Sequence, residues 1–169
     1  MQPSEKLPPI EIEVQIDEPF IAYVSADLLL RTARATLSYA DVNGPAELTV
    51  VVTGDGSVRR LNRTYCGVDA PTDVLAFSSG NPQSFVSPVE TAQYLGDVII
   101  SYQRAEAQAQ SAGHPVDAEL QLLTVHGVLH LLGHDHAQPD QKGAMWNAQA
   151  EILRQLGAPV ADPTPESAE

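Results

Sequence analysis

His126-Gly127-Val128-Leu129-His130-Leu131-Leu132-Gly133-His134-Asp135-His136 is the stretch from which the rest of the chain is best read. Its apolar residues continue a run that begins near Val116, which predicts a helix from about Val116 to Leu132, the most apolar in the chain. Gly133 follows the last apolar residue, where a left-handed cap would end the helix and reverse the chain. His126 and His130 are four residues apart, so both imidazoles leave one helix face with Cβ atoms about 5–6 Å apart. That is bite distance for a single tetrahedral ion. The reversal at Gly133 can return a third imidazole to the same face, and spacing alone does not choose between His134 and His136.

A lone histidine on an apolar helix is usually a satisfied core residue. Here four of the five histidines fall within eleven residues, which points to metal binding instead. Three nitrogen ligands leave one tetrahedral position open, the arrangement of catalytic rather than structural zinc. Nickel, copper or iron would also accept such ligands. An open zinc site acidifies water to a pKa near about 7.

Outward from this helix, Ile10 to Ile16 alternates apolar and polar residues and predicts a half-buried strand. A helix is expected from Ser25-Ala26-Asp27, with Leu28, Leu29, Ala33, Leu37 and Ala40 as its apolar stripe. Glu47 to Thr53 reads as a second strand. A short helix should follow, carrying Val58, Leu61 and Tyr65 on one face. Asp73 to Phe77 and Tyr94 to Ser101 read as strands three and four, separated by a loop over 79–93. A polar helix (Tyr102–Ser111) precedes the histidine-bearing one, and a last helix runs from about Pro139 to Leu156, with Met145 and Trp146 in its packing face. The expected fold is α+β: a mixed four-stranded sheet with about five packed helices, the metal site lying on a helix and the loop after it. Residues 10–156 are expected to form a single domain, between a flexible N-terminus (1–9) and a disordered acidic, proline-containing tail (157–169).

At 169 residues and 43% hydrophobic content, the chain can bury a real core. No apolar run approaches the roughly 18 residues of a membrane span, so no membrane partner is expected. The polar opening lacks a signal-peptide pattern, and Cys66 is the single cysteine, so no intrachain disulfide is possible; a cytoplasmic location is expected. The formal charge of −13 argues against DNA or RNA bound through a broadly basic surface. The nine basic residues are unevenly placed, however: Arg59, Arg60 and Arg63 lie within five positions.

The spacing H-x3-H-x2-G-x2-H matches the long zinc-protease pattern, except that Gly127 stands where those enzymes carry a glutamate base. Losing the group that deprotonates water and protonates the leaving amine disfavours peptide hydrolysis. A phosphodiester can share that load with its own oxygens. Glycine is also expected to open room above the metal for a bulky anionic group.

With these residues in view, the chain resembles the YbeY endoribonuclease, or rRNA maturation factor, family. The family hallmark H-G-x-L-H-L-x-G-[YH]-D-H is present in full at 126–136. The resemblance also takes in Leu61-Asn62, Tyr65, Pro71-Thr72-Asp73-Val74-Leu75, Phe77, Leu95-Gly96-Asp97-Val98, Glu119-Leu120, Met145 and Glu151. It implies one zinc ion per chain, or another divalent transition metal, on His126, His130 and His136, with His134 at a position often held by tyrosine. It implies a single-strand-directed endoribonuclease acting on the 16S rRNA precursor in 3′-end maturation and in ribosome quality control, with the small ribosomal subunit as a partner.

Two positions depart from the family. Cys66 stands where arginine is usual, and Ala76 where serine is common. A thiol replaces neither the charge nor the planar fork of arginine. An alternative is therefore a ribosome-associated metal-binding factor without nuclease activity. Arg63 is the candidate catalytic replacement, and Arg59 and Arg60 are candidate substrate-binding residues. Asp135 is a candidate general base. Glu119 and Asp73 are candidates to orient a ligand imidazole. His114 is expected to be an ordinary loop residue.

Overall fold

The computed structural model describes residues 10–42, 44–79, 93–133 and 139–158. Four strands, β1 (Glu11–Ile16), β2 (Ala46–Thr53), β3 (Val74–Ser78) and β4 (Gln93–Ser101), form one sheet in the order β1-β2-β4-β3. β1, β2 and β4 run parallel, and β3 is antiparallel to β4. Five helices accompany them: α1 (Ala26–Tyr39), α2 (Asp55–Leu61), α3 (Tyr102–Ala112), α4 (Val116–Leu131) and α5 (Pro139–Leu156). The mixed four-stranded α+β arrangement is the one expected.

Local chemistry explains the main elements. The β1 alternation puts Ile12, Val14 and Ile16 toward the helices and leaves Glu11, Glu13 and Gln15 exposed. Ser25 caps α1 by accepting from Leu28 N (3.1 Å), leaving one fewer orphan donor. The buried stripe of α1 is Leu29, Thr32, Ala33, Thr36 and Leu37. Thr32 and Thr36 can sit there because their hydroxyls donate to the carbonyls of Leu28 and Thr32, at 2.7 and 2.9 Å.

Every residue of α4 from Ala118 to Leu129 is buried, so this helix is the centre of the molecule. One side joins the sheet core of Val50, Val52, Val98 and Ile100 through Leu120, Leu123 and Val128. The other side meets α5, where Leu122, Val125 and Leu129 pack on Met145, Ala148, Ile152 and Leu153. Gly127 sets how closely α4 approaches the sheet, since a Cβ there would lie 2.4 Å from Val98 Cγ1. The expectation that Gly127 opens room above a metal is thus corrected: its empty side faces β4. Gly96 serves a related purpose in β4, beside a bulge that leaves Leu95 without a β2 partner. With φ at +141° and a would-be Cβ 2.2 Å from Phe77 O, only glycine fits there.

Three local features differ from expectation. A 3-10 turn at Glu18–Tyr23 stacks Phe20 on Tyr102 at 5.0 Å. After α2 the chain passes into a π turn, Asn62–Cys66, whose wider spacing rotates successive residues away from the α-helical stripe. The expected face of Val58, Leu61 and Tyr65 therefore breaks up: Val58 is buried, while Tyr65 is 69% exposed. The third difference is His114, which is buried. Residues 1–9 and all but the first two residues of the tail 157–169, expected to be flexible, lie outside the described residues. No helix among the described residues is long and apolar enough to cross a membrane.

Gly127→Ala provides a test of the α4 contact. Alanine in a helix interior ordinarily gains about 1 kcal/mol over glycine. Overpacking against Val98 should cost about 1–3 kcal/mol, so a net loss in denaturant unfolding is expected. Adding Val98→Ala should recover part of it; a stabilised single variant would show that α4 is not held by this contact.

Candidate functional site

α4 carries His126 and His130 on successive turns, and their ring centroids lie 4.9 Å apart at an interplanar angle of 62°. His126 is buried and His130 half-buried. Both line a cleft of about 280 Å³, whose other walls are Asn62 of the π turn, Thr72, and Val74, Leu75 and Ala76 of β3. The cleft thus lies where the central helix, the edge strand and the turn after α2 meet. A larger cavity of about 490 Å³ lies by β1 and β2, lined in part by Glu11, Glu13 and Glu47, and has no histidine.

His126 Nδ1 lies 2.6 Å from Oε1 of Gln149, a fully buried side chain on α5. An amide oxygen only accepts, so with that oxygen as partner Nδ1 carries the proton, and the neutral ring keeps the Nε2 lone pair. This is the tautomer an imidazole needs to ligate a metal through Nε2, and the residues present fit that use. Gln149 was not singled out from the sequence: it lies twenty-three residues from His126, and only the packing of α5 against α4 brings them together. A glutamine facing a histidine across two helices leaves no spacing signal.

His134, Asp135 and His136 lie outside the described residues, so two of the three expected ligands are placed. Gly133, with φ at +95°, closes α4 as the sequence expects. Among the described residues no third His, Cys, Asp or Glu joins the pair. Gly127 follows His126 but faces Val98, so a glutamate there would point into the sheet rather than toward the cleft. Packing, as well as chemistry, excludes the zinc-protease base from this position.

Glu119 is seven residues before His126, and its Oε1 lies 2.6 Å from His114 Nε2, both side chains being buried. The imidazole that this contact orients is His114, which joins the start of α4 to the α3–α4 connection; the reading of His114 as an ordinary loop residue is corrected accordingly. Asp73 is also buried, and accepts from Val74 N at 2.8 Å and Gln108 Nε2 at 3.2 Å. It ties the start of β3 to α3.

The arginines stand outside the cleft wall. Arg59 makes two hydrogen bonds to Asp69, at 2.7 and 3.3 Å, and Arg63 lies 4.0 Å from the same carboxylate. The Arg59 guanidinium holds the Asp69 carboxyl below its usual range by hydrogen bonding. Arg60 donates to Ser57 Oγ at 2.9 Å. All three arginines are exposed, as is Cys66.

Comparison with known proteins adds the following. The family profile described as Endoribonuclease YbeY matches residues 14–157. Proteins named Endoribonuclease YbeY from Roseiflexus castenholzii and Chloroflexus aurantiacus are each 46% identical to this chain. The first alignment spans 88% of this chain and 94% of the relative, the second 88% and 96%. One from Brevibacillus brevis is 39% identical over 78% of this chain and 86% of its own length. Among solved structures, a Thermotoga maritima protein determined in solution superposes with a TM-score of 0.57 at 16% identity. That match covers 94% of this chain and 99% of the other, and shows the shared fold.

Gln149→Leu should loosen the His126 ring while keeping the side chain's bulk. Affinity for zinc or cobalt, measured by chelator competition, is expected to fall roughly 10–100-fold. Unchanged affinity would mean that the Gln149 contact does not prepare His126 as a ligand.

Proposed function

The chain belongs to the YbeY endoribonuclease family, and on that premise we propose that it is a zinc-dependent, single-strand-directed endoribonuclease. Its substrate on this reading is the 16S rRNA precursor, cut in 3′-end maturation, with a second part in ribosome quality control; the small ribosomal subunit is its partner and the cytoplasm its location. The observation that carries the reading is the pair of imidazoles side by side in an open cleft, one of them held through Nδ1 by Gln149.

His126, His130 and His136 are the proposed ligands of one ion. When bound, the ion supplies a Lewis acid for a phosphate oxygen and acidifies water. The chain's own residues do the rest. Gln149 holds the His126 ring in the ligating tautomer. The β3 edge and the π turn form the walls against which a phosphodiester would lie. Arg59, Arg60 and Arg63 supply exposed positive charge near the π turn, suited to the backbone phosphates flanking the cut. Asp135 is proposed as the group that takes the proton of the attacking oxygen.

One observation favours a second reading. Cys66 ends the π turn in place of the family's arginine, and Arg59 and Arg63 are already engaged by Asp69. With no arginine at position 66 and those two shared with Asp69, the chain would on this reading be a ribosome-associated metal-binding factor without nuclease activity. The two readings separate in one assay of purified protein on a single-stranded RNA. The nuclease reading expects cleavage that stops on chelation, returns with zinc, and falls about a hundredfold or more in His130→Ala. Equal activity of His130→Ala and wild type would detach cleavage from the site. A protein that holds zinc and cuts nothing would establish the non-catalytic reading.

A further inference from the structure

Tyr65 stands out among the exposed residues. It is 69% exposed, although the sequence places it on an apolar stripe. Its ring is fixed against that of Phe77, with centroids 5.6 Å apart and planes at 62°. The loop presenting it is tied down: Asn62 Nδ2 donates to Ala70 O at 2.9 Å, and Val68 N donates to Asn62 O at 3.2 Å. Gly67, with φ at +74°, closes the π turn.

The two segments that carry this aromatic pair, the π turn and β3, also supply walls of the histidine cleft. Asn62, three residues before Tyr65 on the same turn, lines it, and so does Ala76, next to Phe77 on β3. Arg63 is on the same turn and Arg59 one turn earlier, both with exposed side chains. An anchored, exposed aromatic ring on a turn that also carries arginine is what proteins offer to an unpaired base and its phosphates.

We propose that Tyr65, backed by Phe77, is the platform on which one unpaired base of the RNA stacks at the edge of the cleft, while Arg63 and Arg59 meet the adjoining phosphates. The inference rests on the ribonuclease reading and deepens it. A base inside a duplex has both faces covered by its neighbours, so it cannot stack on Tyr65 without leaving the helix. The platform thereby selects single strands by physical means. Because every base has a π face, it does so with little regard to sequence, and with purines held better than pyrimidines through their larger area.

Steady-state cleavage of short single-stranded RNAs tests this, using an intact substrate and a series with one abasic nucleotide moved along the chain. Tyr65→Ala should raise KM about tenfold on intact RNA with little change in kcat, the scale on which one base–aromatic stack acts. One abasic position should raise the wild-type KM similarly and abolish the difference between the two proteins. Tyr65→Phe should restore the wild-type KM, and equal melting temperatures for wild type and Tyr65→Ala would show the fold intact. Wild type that cleaves, beside a Tyr65→Ala protein of unchanged KM on every substrate, overturns the platform alone. Wild type that binds zinc but neither binds nor cleaves RNA overturns the ribonuclease reading, and the platform with it.

Discussion

The approach of α4 to β4 at Gly127 is the contact on which the rest depends. With no Cβ at Gly127, the helix settles onto Val98, and twelve consecutive residues from Ala118 to Leu129 are buried. His126 is carried into the interior by that packing. A buried ring nitrogen left without a partner costs about 1–3 kcal/mol, so its Nδ1 must find an acceptor nearby. α5 supplies one in Gln149, and α5 is itself held by Met145, Ala148, Ile152 and Leu153 against the far side of α4. The central packing and the tautomer of the histidine are therefore one constraint. Any substitution that tilts α4 or lifts α5 reaches the site through this chain of contacts.

Charge and topology can also be reconciled. A formal charge of −13 is unpromising for a protein that handles a polyanion. The sheet order separates the two: Glu11, Glu13 and Glu47 belong to β1 and β2, while the cleft lies beside β3 at the opposite edge. Adjacent strands are about 4.8 Å apart, so those carboxylates stand on the order of 10–15 Å from the cleft edge. The screening length at physiological salt is about 8 Å, which mutes their repulsion there. Near the π turn the balance reverses, with Arg59 and Arg63 sharing the single carboxylate of Asp69.

The legible parts of the sequence were those with a period. Strict alternation located β1, and the apolar run located α4 together with the glycine that ends it. The π turn was not legible, because a change from i+4 to i+5 bonding leaves no mark in the apolar pattern, and Tyr65 looked like a core residue as a result. Glu119 and His114 lie five residues apart across a turn and an N-terminus, so the pairing of the two required the path of the chain to be known. Gln149 illustrates a stricter limit. Its role comes from which helix α5 packs against, a tertiary choice that no local signal announces. Gly127 was recognised as significant and given the wrong direction, since spacing tells which residues share a face but not what that face meets.

The donor set has one further physical consequence for the proposed chemistry. Imidazole ligands are neutral, and the residue behind His126 is an amide rather than the carboxylate more often found behind a zinc-binding histidine. A carboxylate would draw the Nδ1 proton, make the ring more basic and offset part of the ion's charge. Gln149 does neither, so a divalent ion on the proposed ligands would keep most of its positive charge in a cleft walled by Asn62, Thr72, Val74, Leu75 and Ala76. In an acidic protein with cysteine at position 66, such an ion would add to the positive charge that Arg59, Arg60 and Arg63 bring near the π turn. A neutral partner behind His126 would leave the charge of the proposed ion undiminished, where a carboxylate would offset part of what the missing arginine no longer provides.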